Sequence, residues 1–403
     1  MTRPRLSVLD LIPVTSGQQV GEAVGNAIDL ARRTEEFGYH RYWVAEHHLN
    51  AGVAGSAPIV AIALIAANTS TIRVGSGAVL AGNYSALGIV EQFGLIDALH
   101  PGRLDLGLGR SANRRPPTGP PPKTDDQHGT DDQHRTDDQH RTDDQQDTDD
   151  HGRVPTAENG LLLPKGPKGF FDRIAQSPRF QAQAQLLRGL EVGQEYADQV
   201  ADLLNFVDGE YVTADGVELH AVPGERGDFE VWILGSSGGE SANLAGTLGL
   251  PFAANYHVAP ERVIEAVDAY RAAFKPSDRL SDPYVAISAD VVVAEDDDQA
   301  RRLASGYAPW VRSIRSGVGA IRYPSPEEAA RLEWTEVDQE LVADRTLTQF
   351  VGSPPTVAAR LEQLAEATGA DELIITTITH QHSDRVNSYR LLADHWNTTE
   401  GAL

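Results

Sequence analysis

The sequence of 403 residues contains no cysteine. This absence excludes disulfide bonds, metal sites built on thiolates and a cysteine nucleophile. Long hydrophobic runs are also missing, since the longest one, Ala57 to Ala67, contains Pro58 and is too short to cross a membrane. The chain enters its first predicted strand from Met1 without an apolar secretory segment. We therefore expect a cytoplasmic protein that does not contact a membrane.

Basic residues are scarce relative to acidic ones. The 34 Lys and Arg residues against 58 Asp and Glu residues give a formal net charge of −24. An acidic surface of this kind repels nucleic acid and anionic lipid, so neither is an expected partner. An anionic cofactor would have to be held by local donors against the overall field.

The middle of the chain carries a low-complexity repeat. The unit Thr124-Asp125-Asp126-Gln127-His128-Gly129 recurs every six residues, and a proline-rich stretch precedes it. The unit has no hydrophobic residue and cannot offset the entropy of its own ordering. We predict an acidic, disordered insertion over residues 113–158. Its Asp and His residues could bind a divalent metal, but a flexible repeat does not fix ligand geometry, so no metal site is predicted.

Outside this insertion, strand and helix patterns alternate. The predicted strands are 6–12, 41–45, 72–76, 103–107, 230–235, 251–255, 284–293 and 371–377. The predicted helices are one from Ser16 to Gly38, then 57–68, 84–99, 178–206, 239–248, 260–274, 297–307 and 382–395. Eight such units predict a (β/α)8 TIM barrel, a single α/β domain over residues 1–403. A doubly wound sheet is the alternative, but no Gly-x-Gly-x-x-Gly follows the first strand. Residues 308–350 are predicted as a second insertion, before strand eight, and could form a lid.

Two strands end in groups that suit chemistry or ligand binding. Strand two runs into Glu46, His47 and His48. Neighbouring residues of an extended segment point opposite ways, so one histidine should face the barrel axis, where it could transfer a proton. A polar cap on the loop is the alternative. Strand three ends in Ser76-Gly77, where glycine would let a flat ligand approach the backbone, or would mark an ordinary bend.

A glycine- and serine-rich turn joins strand five to a helix. Ser236, Ser237, Gly238 and Ser241 combine open backbone N–H groups with hydroxyl donors, which suits an anion such as phosphate. A plain serine N-cap is the alternative. Arg110, which follows strand four, could supply the positive charge that a phosphate needs. Three further histidines fall at the same end of the strands, each a candidate pocket residue or simple loop polarity: His257, His380 and His382.

Several of these segments occur together, and in the same order, in one known family. They are Val44-Ala45-Glu46-His47-His48, Arg73-Val74-Gly75-Ser76-Gly77, Glu91-Gln92-Phe93, His100 to Arg110, Leu234-Gly235-Ser236-Ser237, Ser353-Pro354 and Gly369 to Leu373. The chain resembles the bacterial-luciferase-like flavin-dependent monooxygenases over residues 5–112 and 160–395.

The resemblance implies a (β/α)8 barrel that binds reduced FMN at the carboxyl ends of its strands. Such enzymes commonly take the flavin from a separate flavin reductase. They form a C4a-hydroperoxide with O2 and oxidise a small organic substrate. By resemblance His47 is the catalytic histidine with His48 beside it, and Ser76-Gly77 is a cis peptide beneath the flavin ring. Likewise the phosphate would be held by Arg110, Ser236, Ser237, Gly238 and Ser241. Glu46, His257 and His380 are candidate substrate-pocket residues because they fall at the catalytic end of the strands.

Two other functions remain open on this resemblance. Related barrels use the deazaflavin F420 for hydride transfer, and a flavin-binding protein without catalysis would keep the same fold. The family also suggests a homodimer. The predicted helix 57–68 offers Ile59, Ile62 and Ile65 as a contact face, although these residues could instead pack onto the barrel. The acidic insertion directly follows Arg110 and could impair the site.

Overall fold

The computed structural model describes residues 3–110, 154–167 and 195–398, with positions 169, 170, 174, 176, 177 and 179–181 between them. Most of the predicted insertion over 113–158, including the repeat, lies outside the described residues. So does much of the predicted helix over 178–206. No helix among the described residues is long and apolar enough to span a membrane.

Ten strands form one parallel sheet that closes on itself. They are β1 (Arg5–Asp10), β2 (Arg41–Val44), β3 (Arg73–Ser76), β4 (Val79–Leu80), β5 (Leu104–Gly109), β6 (Phe229–Gly235), β7 (Phe252–Asn255), β8 (Val285–Val293), β9 (Phe350–Gly352) and β10 (Glu372–Thr376). Closure comes from β10, which pairs with β1 on one side and with β8 on the other. The predicted (β/α)8 barrel is confirmed. The short β4 and β9 are additions that pair with β5 and with the end of β8.

Helices surround the barrel or cover its carboxyl end. In chain order they are α1 (Val20–Glu36), α2 (Pro58–Ala66), α3 (Ala86–Asp97), α4 (Tyr196–Asp208), α5 (Glu240–Leu248), α6 (Val263–Ala273), α7 (Asp297–Leu303), α8 (Tyr307–Arg315), α9 (Pro326–Ala329), α10 (Glu336–Thr348), α11 (Pro354–Thr368) and α12 (His382–Thr398).

Two helix predictions need correction. The first helix begins at Val20 rather than at Ser16, because Gln19 and Glu22 form the capping box. The sequence analysis missed α11, although its signals are present. Pro354 lies in the first turn of α11, and Gly369 follows its last residue with a left-handed φ of 59°.

The face of α2 expected to form a dimer contact is buried. Ile59, Ile62 and Ile65 pack into the core between the barrel and its helices. The alternative interpretation, that they pack onto the barrel, is therefore correct. Val60 and Leu64 are the residues of this helix that point to solvent.

A second core runs along the inside of the barrel. Its barrel residues are Leu9, Trp43, Trp232, Ala253, Ala286 and Ile374. The same cluster continues past the strand ends into Tyr307, Trp310, Val311, Tyr323 and Val342. Residues 307–348, which we call the cap segment, therefore pack on the carboxyl end of the barrel, the end where barrel enzymes carry their active sites.

The opposite end of the barrel is closed by a charged floor. Arg41 donates to Asp105 (2.7 Å), Glu230 (2.8 Å) and Glu372 (3.1 Å), and its guanidinium lies 4.7 Å from the ring centre of Trp232. Three carboxylates around one buried arginine satisfy its donors and hold four strands together. A groove of about 390 Å³ lies at this same end of the barrel. Its lining residues include Arg3, Arg5 and Trp396. It is remote from the strand carboxyl ends.

Candidate functional site

Glu46 and His48 point to one side of the chain after β2. His48 Nε2 lies 2.6 Å from Glu46 Oε1, as expected for positions i and i+2 of an extended segment. The buried Glu46 carboxylate also accepts hydrogen bonds from the Leu80 N–H (2.8 Å) and the Asn83 amide (2.7 Å). Glu46 thus holds His48 and the loop after β4 in place, and its oxygens are occupied by protein donors.

His47 points the other way, toward the mouth of the barrel. Its backbone N–H donates to the Gly55 carbonyl at 2.7 Å, and its ring keeps an exposed face. The ring nevertheless lies deep among protein atoms. This desolvation, with a smaller contribution from His48, lowers the pKa of His47 to about 4. The imidazole is therefore neutral at pH 7 and can donate or accept a hydrogen bond.

His257, after β7, lies near His47. Its Nδ1 is 2.6 Å from the hydroxyl of Ser288 on β8. Burial lowers the pKa of His257 to about 4; Asp290 acts in the opposite direction, while Arg345 and His47 lower it further. The structure thus brings together two neutral imidazoles that are about two hundred positions apart in the sequence.

His380 lies at the junction between β1 and the cap segment. Its Nε2 is 3.1 Å from the hydroxyl of Ser16, which also donates to Glu328 of the cap segment. His380 also lines a groove of about 250 Å³ with Arg302 and Asp384. These contacts give His380 a role in attaching the cap segment. The neighbouring His382 contacts Asp29 of α1 at 2.9 Å.

The segment around Ser76 and Gly77 differs from the prediction in two ways. The buried Ser76 hydroxyl donates to the Gly107 carbonyl (2.9 Å) and accepts from its N–H (3.0 Å), so it joins β3 to β5. The cis peptide lies between Gly77 and Ala78, one bond later than expected. Gly77 itself faces the barrel interior, because a Cβ there would lie 2.8 Å from Leu9 Cδ1 and 3.2 Å from Trp43 Cε3.

Arg110 meets the start of α5, where a phosphate site was predicted. Its guanidinium donates to the carboxylate of Glu240, the first residue of that helix, at 2.6 Å. Among the described residues, nothing hydrogen-bonds to the hydroxyls of Ser236 and Ser237, and Ser241 is buried in the first turn. Arginine, hydroxyls and a helix N-terminus form a donor set that fits a phosphate. Glu240, which the sequence analysis did not select, competes for Arg110.

The sequence analysis missed a polar cluster formed by Asp290, Tyr307 and Arg345. Tyr307 donates its hydroxyl proton to Asp290, and Arg345 donates to the Tyr307 oxygen at 3.0 Å and to Asp290 at 3.3 Å. Asp290 points to the barrel axis, since it lies four residues after Ala286 of the inner core and therefore on the same face of β8. An aspartate inside the apolar strand VAISADVVV was the signal available in the sequence. No group of three possible metal ligands occurs within the part of the chain that the structure describes.

Solved structures with similar folds use different cofactors. Apo-MsnO8 has a TM-score of 0.73 at 31% identity and covers 98% of both chains. The oxygenating constituent of 3,6-diketocamphane monooxygenase from Pseudomonas putida, in complex with FMN, has a TM-score of 0.60 at 16% identity, covering 98% of this chain and 97% of that one. An F420-dependent secondary alcohol dehydrogenase has a TM-score of 0.57 at 12% identity, covering 98% and 99%. The last two share only the fold.

Sequence comparison gives matches along nearly the whole chain. The uncharacterized protein YvbT of Bacillus subtilis (strain 168) is 35% identical over 394 residues, 97% of this chain and 96% of that protein. A luciferase-like monooxygenase of Escherichia coli (strain K12) is 32% identical over 389 residues, 96% of each. The N-acetyl-S-alkylcysteine monooxygenase of B. subtilis is 47% identical over 107 residues, 27% of this chain and 32% of that protein. The family model of the luciferase-like monooxygenases matches residues 5–130 and 187–372. The chain therefore belongs to the luciferase-like monooxygenase family and is an oxidoreductase.

Proposed function

We propose that this protein is an FMN-dependent monooxygenase. It inserts one atom of O2 into a small organic substrate, and the other atom leaves as water. The observation that supports this proposal is the placement of two sets of residues on one rim. His47 and His257 follow β2 and β7, while Arg110 and Ser237 follow β5 and β6, all at the carboxyl ends of parallel strands.

Separate groups of residues would bind the phosphate and the flat ring of FMN. Arg110, the hydroxyls of Ser236 and Ser237 and the N-terminus of α5 would hold the phosphate, in competition with Glu240. A contact between Gly77 and the flat ring stays a prediction, and the space that a Cβ on Gly77 would fill is taken by Leu9 and Trp43. When bound, reduced FMN supplies the two electrons that O2 reduction requires.

His47 and His257 then face the reacting end of the substrate. With their pKa values lowered to about 4, both carry no charge at neutral pH. A neutral imidazole can donate one hydrogen bond and accept another. We assign His47, whose ring is exposed at the mouth, to stabilise charge that develops on oxygen during transfer. His48 and Glu46 fix the backbone that carries it.

Two alternatives keep the fold and change the chemistry. Hydride transfer with F420 is one, since barrels of this fold include F420-dependent enzymes. Binding of flavin without catalysis is the other. The full-length relative named as a luciferase-like monooxygenase, and the FMN bound to a barrel of this fold, favour FMN and oxygenation. The partial match to an N-acetyl-S-alkylcysteine monooxygenase makes thioethers the first substrates to screen.

We further propose a homodimer and a separate flavin reductase that supplies reduced FMN in the cytoplasm. The candidate dimer face lies on the outward side of α2, of α3 and of the turn after α3. Val60 (59% exposed), Leu64, Leu95 and Leu99 (77% exposed) point to solvent there. Exposed apolar side chains on adjacent helices are typical of subunit contacts. Sedimentation equilibrium of the wild type and of Leu99→Glu tests this face, and a monomeric wild type would exclude it.

Anaerobic titration tests the main proposal. The protein is titrated with photoreduced FMN and separately with reduced F420, and O2 and a thioether are then added. Binding of FMN followed by formation of a sulfoxide supports the monooxygenase. Turnover with F420 in the absence of O2 supports hydride transfer. Binding of FMN without product across a broad panel of substrates supports the non-catalytic alternative.

A further inference from the structure

Two side chains of the cap segment carry buried hydrogen-bond donors without partners. Trp310 Nε1 and the Tyr323 hydroxyl make no hydrogen bond in the described structure, although the residues are only 5% and 0% exposed. A buried donor without a partner loses its hydrogen bonds to water on folding and forms none in the protein, which destabilises the folded state. Such groups are rare in folded proteins and call for an explanation. Acceptor atoms on a ligand would satisfy these donors.

The unpaired groups lie in the neighbourhood of Asp290, near the carboxyl end of β8. The ring of Trp310 stacks at 6.3 Å on that of Tyr307, whose hydroxyl donates to Asp290. Tyr323 lies close enough to Asp290 for that carboxylate to help raise its pKa, after the larger effect of burial. Thr376 is the register partner of Asp290 on the adjacent strand, and its buried hydroxyl is also unpaired. All three therefore border the Asp290 end of β8.

The charges at this point cancel. Asp290 is compensated by Arg345, and Tyr307 links the two. The nearest imidazoles, His257 and His47, are neutral at pH 7 because burial lowers their pKa values. Arg345 is already engaged by Asp290 and Tyr307, so a ligand carboxylate placed here would be desolvated without gaining this cation as a partner. An uncharged ligand could instead place a carbonyl or ester oxygen against the unpaired donors of Trp310 and Tyr323.

The cap segment shields these donors from solvent. The loop after β2 and the segment after β1 both bond to it, through the Gly52 N–H to the Ala320 carbonyl (2.8 Å) and the Tyr323 N–H to the Val14 carbonyl (2.9 Å). A substrate that reaches Trp310 and Tyr323 must therefore displace part of the cap segment. His47, which follows β2 at the same end of the barrel, is an exposed residue.

We propose that Trp310 and Tyr323 bind the acceptor oxygen of an uncharged substrate and direct its other end toward His47 and His257. This assignment of a substrate class rests on the proposed monooxygenase function. It makes Trp310 and Tyr323 specificity-determining residues, separate from the residues that would hold the cofactor. The Asp290, Tyr307 and Arg345 cluster positions them.

Calorimetric binding, with and without FMN, tests the substrate class without requiring turnover. The probes are N-acetyl-S-methylcysteine methyl ester, which is uncharged, and the matching free acid. We expect the ester to bind at least tenfold more tightly than the acid. We expect Trp310→Phe and Tyr323→Phe each to weaken ester binding fivefold or more while the Kd for FMN stays within twofold. A preference for the acid, or binding of neither probe by a protein that binds FMN, overturns the inference.

Matched variants separate binding from folding. Trp334→Phe changes a tryptophan of the cap segment that stacks on Arg312, and Tyr270→Phe removes a hydroxyl that donates to the Leu250 carbonyl at 3.0 Å. We expect neither to alter the Kd for the ester, and we expect Tyr323→Phe to leave the unfolding midpoint unchanged, since no hydrogen bond is lost. Equal effects of the controls and the test variants overturn the inference. Failure to bind FMN refutes the proposed function and not this inference, because calorimetry measures binding of the ester separately from binding of FMN.

Discussion

Gly52 lies directly against the main chain of Ile321, so that a Cβ built on Gly52 would overlap the Ile321 carbonyl. The two residues belong to the loop after β2 and to the cap segment. Their contact is continued by the hydrogen bond from the Gly52 N–H to Ala320 and by one from the Ala320 N–H to the Asn50 side chain (2.9 Å). The loop that follows His47 therefore packs directly against the cap segment through main-chain contacts.

The first prediction concerns this contact. Gly52→Ala should displace the cap segment and destabilise the protein by about 1–3 kcal/mol, the range for overpacked sites. Urea denaturation measures the change. Gly25→Ala is the control, since a Cβ at this exposed position of α1 meets nothing within 4 Å. We expect Gly25→Ala to stabilise the protein by roughly 0.5–1 kcal/mol. An unchanged stability of Gly52→Ala would show that the contact is loose in solution.

The charged floor gives a second prediction. Arg41→Met should destabilise the barrel by about 3–5 kcal/mol, because it leaves the buried Glu372 carboxylate without its cation and leaves Asp105 paired with Arg73 alone. The free energy of unfolding by guanidinium measures the loss. Arg33→Met, which removes a surface pair with Glu36, should cost at most about 1 kcal/mol. Similar values for the two variants would contradict a structural role for the floor.

The neutral histidines predict how stability depends on pH. His257 has an ordinary pKa of 6.5 that burial lowers to about 4 in the folded protein. Between these values the unfolded chain binds a proton that the folded chain does not, so stability is greatest above pH 6.5 and falls toward pH 4. His257→Gln should reduce this slope, while His47 and His40, whose pKa values are also lowered, retain part of it. Thermal unfolding from pH 4 to pH 8 measures both slopes, and identical slopes would refute the assignment.

The proposed phosphate site predicts opposite effects of two neighbours. Arg110→Ala should weaken FMN binding by roughly 10- to 150-fold, corresponding to about 1.5–3 kcal/mol for a charged hydrogen bond. Glu240→Gln should strengthen it several-fold, because the competing carboxylate of the 2.6 Å pair is removed. Riboflavin, which lacks the phosphate, is the control ligand. If Arg110→Ala weakens riboflavin binding equally, Arg110 does not contact the phosphate.

The sequence by itself determined the architecture and several local features of the site. Alternation of strand and helix patterns is a local property of the chain, and eight repeats of it predict the closed barrel that the structure shows. The opposite directions of His47 and the Glu46–His48 pair follow from the two-residue period of extended backbone. The helix start after Ser237 is likewise visible in the local sequence.

Only the tertiary structure decided which side chains meet. Ser76 faces the outer helices and Gly77 faces the axis, because the register of the strands around the barrel sets which side of β3 is inward. Arg345 reaches Asp290 through the packing of the cap segment, and the local sequence around Asp290 does not show which residue pairs with it. Glu240 pairs with Arg110 because β5 and β6 end side by side. Contacts between residues distant in the sequence depend on the closed barrel as a whole, and no short segment of the chain encodes them.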